Sequence, residues 1–239
     1  MTFTTTKTVR ELALEMPNAT RIFEKLKIDY CCGGSRPLEE ACIAARVEVD
    51  SVMRLLEESA KAGWQNSATT DFQTSPLTEL MTYIVDKHHA FTRQEMDRLR
   101  ALLDKVCSVH GQNHPELLTI QGLFRELCLE LAPHMFKEEQ VLFPYIERME
   151  EAENNSREIP LPAFGTLRNP VRMMMMEHDA AGELLKKLRE TSSDYTVPQD
   201  GCISYQTLYQ AMEAFEQDLH QHIHLENNVL FPRAVEMEG

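Results

Sequence analysis

Apolar residues return along most of this chain at steps of three and four, the spacing that lines one face of a helix. Thr8-Val-Arg-Glu11 reads as a capping box that opens a short amphipathic helix, which Pro17-Asn18 stops. A second helix passes through Ile22, Phe23 and Leu26, and two more run over Leu38 to Ala45 and Val49 to Leu56. Gly33, Gly34 and Pro37 force a turn around Tyr30-Cys31-Cys32. The polar stretch Ala62 to Ser75 lacks a helical stripe and reads as a linker.

Four longer helices follow. Ser75-Pro76, an N-cap with proline at the first helical position, starts one that carries Leu80, Ile84 and His89 and ends at Gly111. Pro115 opens the next, which passes a kink at Pro133 and reaches about Met149. Asn169-Pro170 repeats the cap-plus-proline start, and the last helix spans about Ser204 to Glu236. The expected fold is all-α. A small helical module occupies residues 1–62, a linker 63–75, and a four-helix bundle 76–239, with few contacts expected between module and bundle.

The chain has 239 residues and a formal net charge of -14, which argues against non-specific binding to nucleic acid or to an anionic membrane. No apolar run approaches the roughly 18 residues of a membrane span, and the first 30 residues have no signal-like core, so a cytoplasmic location is expected. The 6 cysteines suit a reducing compartment better than a disulfide framework. Whether the chain forms a homodimer is left open by the sequence.

One phrase occurs twice: His134-Met-Phe-Lys-Glu138-Glu-Gln-Val-Leu-Phe-Pro144 and His222-Ile-His-Leu-Glu226-Asn-Asn-Val-Leu-Phe-Pro232, both HxxxExxVLFP. Residues four apart on a helix share a face, so each copy aims an imidazole and a carboxylate into one space. The Val-Leu-Phe supplies packing beyond the site, and the proline is expected to weaken or end the helix. Upstream of each copy, at nearly the same distance, stands a further histidine, His89 and His178. Each half is thus a helical hairpin, one helix with His and one with HxxxE. Four His and two Glu exceed the needs of one tetrahedral zinc and suit two ions bridged by both carboxylates. Each ion then has two imidazoles, two carboxylate oxygens, and room for an oxo or hydroxo bridge and an outside ligand. Such donors favour iron or manganese and leave zinc and copper open.

Together, Tyr30-Cys31-Cys32-Gly33-Gly34 and the bundle with its paired HxxxExxVLFP resemble the repair-of-iron-centres (RIC) family of the YtfE/ScdA type, over about residues 6 to 235. The resemblance implies a hemerythrin-like, non-haem di-iron protein that restores iron-sulfur clusters after nitrosative or oxidative damage. It places the iron ligands at His89, His134, Glu138, His178, His222 and Glu226 and the paired thiols at Cys31 and Cys32. Its implied partners are damaged iron-sulfur proteins, with nitric oxide or oxygen species as ligands. Two other functions stay open: an enzyme that reduces nitric oxide or peroxide, and a hemerythrin-like binder or sensor of a diatomic gas. Oxygen-carrying hemerythrins use one more histidine, and its absence suggests a more open and labile iron.

Several residues have bland readings too. His88 lies about 100° round the helix from His89, and His220 and His224 flank His222, so all three are expected to be non-ligands. His110 and His114 fall around Gly111 and read as solvated. Glu130 and Asp218 stand one turn before His134 and His222, and Glu177 directly precedes His178. Each can orient an imidazole or relay a proton, or be plain charged surface. The run Met173 to Met176 reads as core filler, and Cys42, Cys107, Cys128 and Cys202 as packing residues. Adjacent cysteines bond to each other only with strain, so Cys31 and Cys32 are expected to be free thiols.

Overall fold

The computed structural model describes residues 6–16, 18–61, 71–159 and 161–239. Among these residues the only β-type pairing is an isolated bridge between Thr8 and Pro37. The N-terminal helices are α1 (Val9–Glu15), α2 (Ala19–Lys25), α3 (Leu38–Ala45) and α4 (Val49–Lys61). The capping box of α1 forms as the sequence predicts, with Thr8 Oγ1 accepting from the Glu11 amide and the Glu11 carboxylate accepting from the Thr8 amide. Leu12, Phe23, Tyr30, Leu38, Val52 and Leu56 form their shared core. Pro17 and most of the expected linker lie outside the described residues.

The first bundle helix consists of α5 (Leu77–Tyr83), a π-turn (Ile84–His89) and α6 (Ala90–His110). The second consists of α7 (Glu116–Lys137), a π-turn (Glu138–Leu142) and α8 (Phe143–Asn154). The third is α9 (Arg168–Thr191), and the fourth α10 (Ile203–Leu225), a π-turn (Glu226–Leu230) and α11 (Phe231–Glu238). Two apolar cores flank the middle of the bundle. One is built on Leu99, Phe124, Leu185 and Phe215, the other on Leu80, Ile146, Leu167 and Phe231.

Several local expectations change. Pro144 and Pro232 do not end their helices, which continue to Asn154 and Glu238. A proline leaves one upstream carbonyl without its usual donor, and in both copies the wider π-turn precedes it and absorbs the mismatch. The helix starts differ as well. α5 begins at Leu77, and its first amides are capped by Glu150 at 2.5 and 2.9 Å, whereas Ser75 Oγ has no partner. α9 begins at Arg168, ahead of Asn169, and Glu238 accepts from the Leu167 amide at 2.7 Å. Glu150 and Glu238 hold corresponding positions in the two halves, so each half caps its first helix with a carboxylate near the end of its second. A partner distant in sequence has displaced the local cap. Of the methionine run, Met174 alone is buried.

The module and the bundle share far more contacts than a linker suggests. Tyr30 Oη accepts from Gln221 Nε2 at 2.6 Å, and Asn228 Nδ2 donates to the Tyr30 carbonyl at 3.0 Å. Glu24 meets His220 at 3.0 Å and Arg189 at 3.6 Å. A Cβ on Gly34 would stand 3.0 Å from Asn228 Oδ1, so the Gly33-Gly34 turn is also what lets the module approach this closely. The buried amides of Asn227 and Asn228 anchor the interface, and an amide's partner cannot be read from helical spacing.

Candidate metal centre

The two carboxylates and four imidazoles predicted from the repeats meet in the middle of the bundle, each at most 3 % exposed. They form two groups, His89 with His222 and His134 with His178, and both groups contain Glu138 and Glu226. Within each group one donor atom from every residue lies within 4.8 Å of the others. Nε2 of His89 faces Nε2 of His222 at 3.1 Å, and Nε2 of His134 faces that of His178 at 3.0 Å. Glu138 approaches His89 and His134 at 3.4 and 3.3 Å, and Glu226 approaches His178 and His222 at 3.1 Å each. Donors about 2.1 Å from one ion and at right angles around it are themselves about 3.0 Å apart. The residues therefore fit a small cation in each group.

The outer nitrogens strengthen this. His89 Nδ1 lies 2.6 Å from Glu139, His134 Nδ1 2.8 Å from Glu177, and His178 Nδ1 2.9 Å from Asn227 Oδ1. Each of these partners accepts, so each Nδ1 carries the proton and each Nε2 turns a lone pair inward. The Asn227 orientation is supported by its Nδ2, which donates to the Cys31 carbonyl at 3.4 Å. Both oxygens of Glu138 and one of Glu226 are buried without a hydrogen bond. Electron-rich atoms converging in a dry space require positive charge among them. Without a metal, protons must supply it. Burial opposes charge on His134, but the Glu138 and Glu226 carboxylates outweigh it and hold the ring up at about 9.

That shift sets the pH response of the metal-free chain. A histidine raised above its unfolded value of about 6.5 contributes stability that is complete below that pH and lost as pH rises through the folded value. Thermal melts of metal-free protein between pH 6.5 and 9 should therefore show a loss on the order of 3 kcal/mol. Metal-loaded protein should hold its melting temperature over the same range, because a metal ion replaces the proton.

Local structure explains how the donors are aimed. His89 ends one π-turn, and Glu138 and Glu226 begin the other two. The phenylalanine of each VLFP lies flat against a histidine of its own half, Phe143 on His89 and Phe231 on His178, both with centroids 6.0 Å apart. Val141 is the member of these triplets left exposed.

The other sequence-predicted residues separate. Glu177 orients His134 across the helix pair, rather than its neighbour His178, and also binds Lys137. Asp218 accepts from His88 Nδ1 at 3.1 Å and not from His222. Glu130 is exposed and away from the imidazoles, because its side of α7 faces solvent. Glu139 and Asn227 went unanticipated, although each directly follows the glutamate of its repeat. His88, His220 and His224 lie outside both groups, at Asp218, Glu24 and Asn228 respectively.

Cys31 and Cys32 are both free, with sulfurs 3.8 Å apart. Cys31 is buried in the larger bundle core, and its thiol is pushed well above the usual range by its hydrogen bond with Cys32 and by burial. Cys32 Sγ sits 3.6 Å from the His178 carbonyl, so the thiols flank the metal-facing helix α9. Cys202 is not a packing residue. It is exposed, lies 3.1 Å from His110 Nε2, and that contact draws its thiol down to about 7.

A four-helix bundle that gathers imidazoles and carboxylates at one buried point defines a hemerythrin-like, cation-binding protein. Residues 80–234 match the hemerythrin HHE cation binding domain, and residues 5–60 match the ScdA_N domain of unknown function (DUF542). The chain is 32 % identical over 225 residues to the probable iron-sulfur cluster repair protein of Haemophilus influenzae, covering 94 % of this chain and 95 % of the relative. It is 33 % identical over 230 residues to the iron-sulfur cluster repair protein YtfE of Yersinia pseudotuberculosis and to that of Yersinia pestis, covering 95 % of this chain and 96 % of each relative. The chain belongs to the YtfE-type iron-sulfur cluster repair family.

Proposed function

We propose that the chain is a non-haem di-iron protein that repairs iron-sulfur clusters damaged by nitrosative or oxidative stress, and that it does so by supplying iron. The observation that carries this reading is the sharing of Glu138 and Glu226 by two groups of buried donors, with both oxygens of Glu138 and one of Glu226 left without a hydrogen bond. His89, His134, His178, His222 and the two glutamates would hold two ions, which when bound supply a redox-active centre with room for an outside ligand. Glu139, Glu177 and Asn227 hold the imidazoles in their ligating tautomer. The bundle at 76–239 carries every one of these groups. The module brings Cys31 and Cys32 to its flank, and in this reading they pass iron or a nitrosyl to a damaged iron-sulfur partner.

The test uses an iron-sulfur dehydratase inactivated by peroxide or nitric oxide. Sub-stoichiometric protein with supplied iron should restore its activity faster than iron and reductant alone. Equal rates with and without protein would defeat the reading. Turnover of nitric oxide by the purified protein would favour an enzyme instead.

A further inference from the structure

The two halves follow the same rules for holding their histidines, with one exception. The residue after each bridging glutamate binds the histidine on the other helix of its own hairpin, Glu139 on His89 and Asn227 on His178. The residue before each upstream histidine should hold the histidine of HxxxE, and Glu177, which precedes His178, does so for His134. The counterpart of Glu177 is His88, which precedes His89. Its ring lies parallel to that of His222 with centroids 5.8 Å apart, yet the two make no hydrogen bond. His222 Nδ1 and His88 Nε2 are both buried without a partner among the described residues. His88 is instead turned to Asp218.

A second feature falls on the same side. A cleft of about 1250 Å³ between module and bundle is lined by Tyr83, Lys87, His88, Gln221 and Leu225. His88 thus borders the cleft and lies against His222. At the other ion position Cys32 packs on the His178 carbonyl, and Asn227 ties His178 to the Cys31 backbone. One ion's histidines are both anchored by protein groups, while the other ion has an unanchored histidine beside an open cleft.

We infer that the two metal positions are unequal, and that the ion held by His89 and His222 is the one released, through the cleft beside His88, while the ion held by His134 and His178 stays. This rests on the reading of the six residues as ligands. Losing an outer partner of a ligating histidine weakens metal affinity by about 10- to 100-fold. Release of the first ion should lead that of the second by a similar factor.

The full chain loaded anaerobically with ferrous iron is mixed with excess ferrozine, and release is followed by the colour of the chelate. Two phases of equal amplitude are expected. His88→Gln places a side chain that accepts from His222 Nδ1 and still donates to Asp218, and it should slow the fast phase about tenfold or more. Glu177→Ala frees His134 and should speed the slow phase, and circular dichroism checks that both variants keep their helices. Loss of both ions in one phase from the wild-type chain would overturn the inference, as would a fast phase that responds to Glu177→Ala and not to His88→Gln. If His88→Gln does not fold, the Glu177→Ala phase assignment alone decides between the positions. A chain that never loads two ions would instead sink the underlying reading of the ligands.

Discussion

Replacing Glu138 or Glu226 by alanine is expected to remove both ions from the chain at once, although each substitution deletes a single side chain. Both carboxylates belong to both donor groups, so either loss costs each position a ligand and the bridge between them. Wild-type protein should carry about two iron ions per chain by elemental analysis. Each glutamate variant should fall far below one. His220→Ala and His224→Ala should retain the wild-type content, because those rings serve Glu24 and the Tyr30 and Asn228 contacts at the module interface. Equal iron loss in all four variants would show that the helix phase assigned to the ligands is wrong.

The second large effect concerns the thiols. Cys31→Ala/Cys32→Ala should keep its iron and its helical content while losing cluster restoration, if the pair hands iron or a nitrosyl to the client. No protein ligand is removed by this change, and Asn227 contacts the backbone of Cys31 rather than its sulfur. Cys31 is nearly fully buried, so its truncation costs about 1 kcal/mol of packing, a small shift in melting temperature. Wild-type repair by the double variant would remove the thiols from the mechanism. Iron loss on the same change would mean that the sulfurs, now seated against α9, reach the metals directly.

The six central donors were legible because their geometry is local and written twice. His134 with Glu138 and His222 with Glu226 depend only on helical rise, and the repeat supplied His89 and His178. What surrounds them was read less well. Glu177 serves a histidine on a neighbouring helix and Asp218 serves His88, pairings set by how the helices are rotated against one another. Spacing along one helix carries no record of that rotation. Glu139 and Asn227 had a usable signal, a polar residue in the same place of each repeat, but only the packed bundle shows which imidazole each one meets. The helix starts failed for a related reason, since Glu150 and Glu238 reach back to caps that a local motif search assigns to Ser75 and Asn169. The docking of the module depends on Asn227 and Asn228, two amides in a stretch otherwise read for its carboxylate.

Each donor group draws one histidine from either half of the bundle: His89 and His134 come from the first hairpin, His222 and His178 from the second. An ion at either position is therefore a clasp between hairpins, and neither hairpin can hold it alone. Metal binding of this kind is coupled to the closure of the fold. On the proposed di-iron reading two clasps cross one seam, so the chain would give up one ion and remain fastened by the other. A protein that gives away metal would otherwise have to loosen each time it delivers. Here the duplication that built the site also leaves a spare fastening in place.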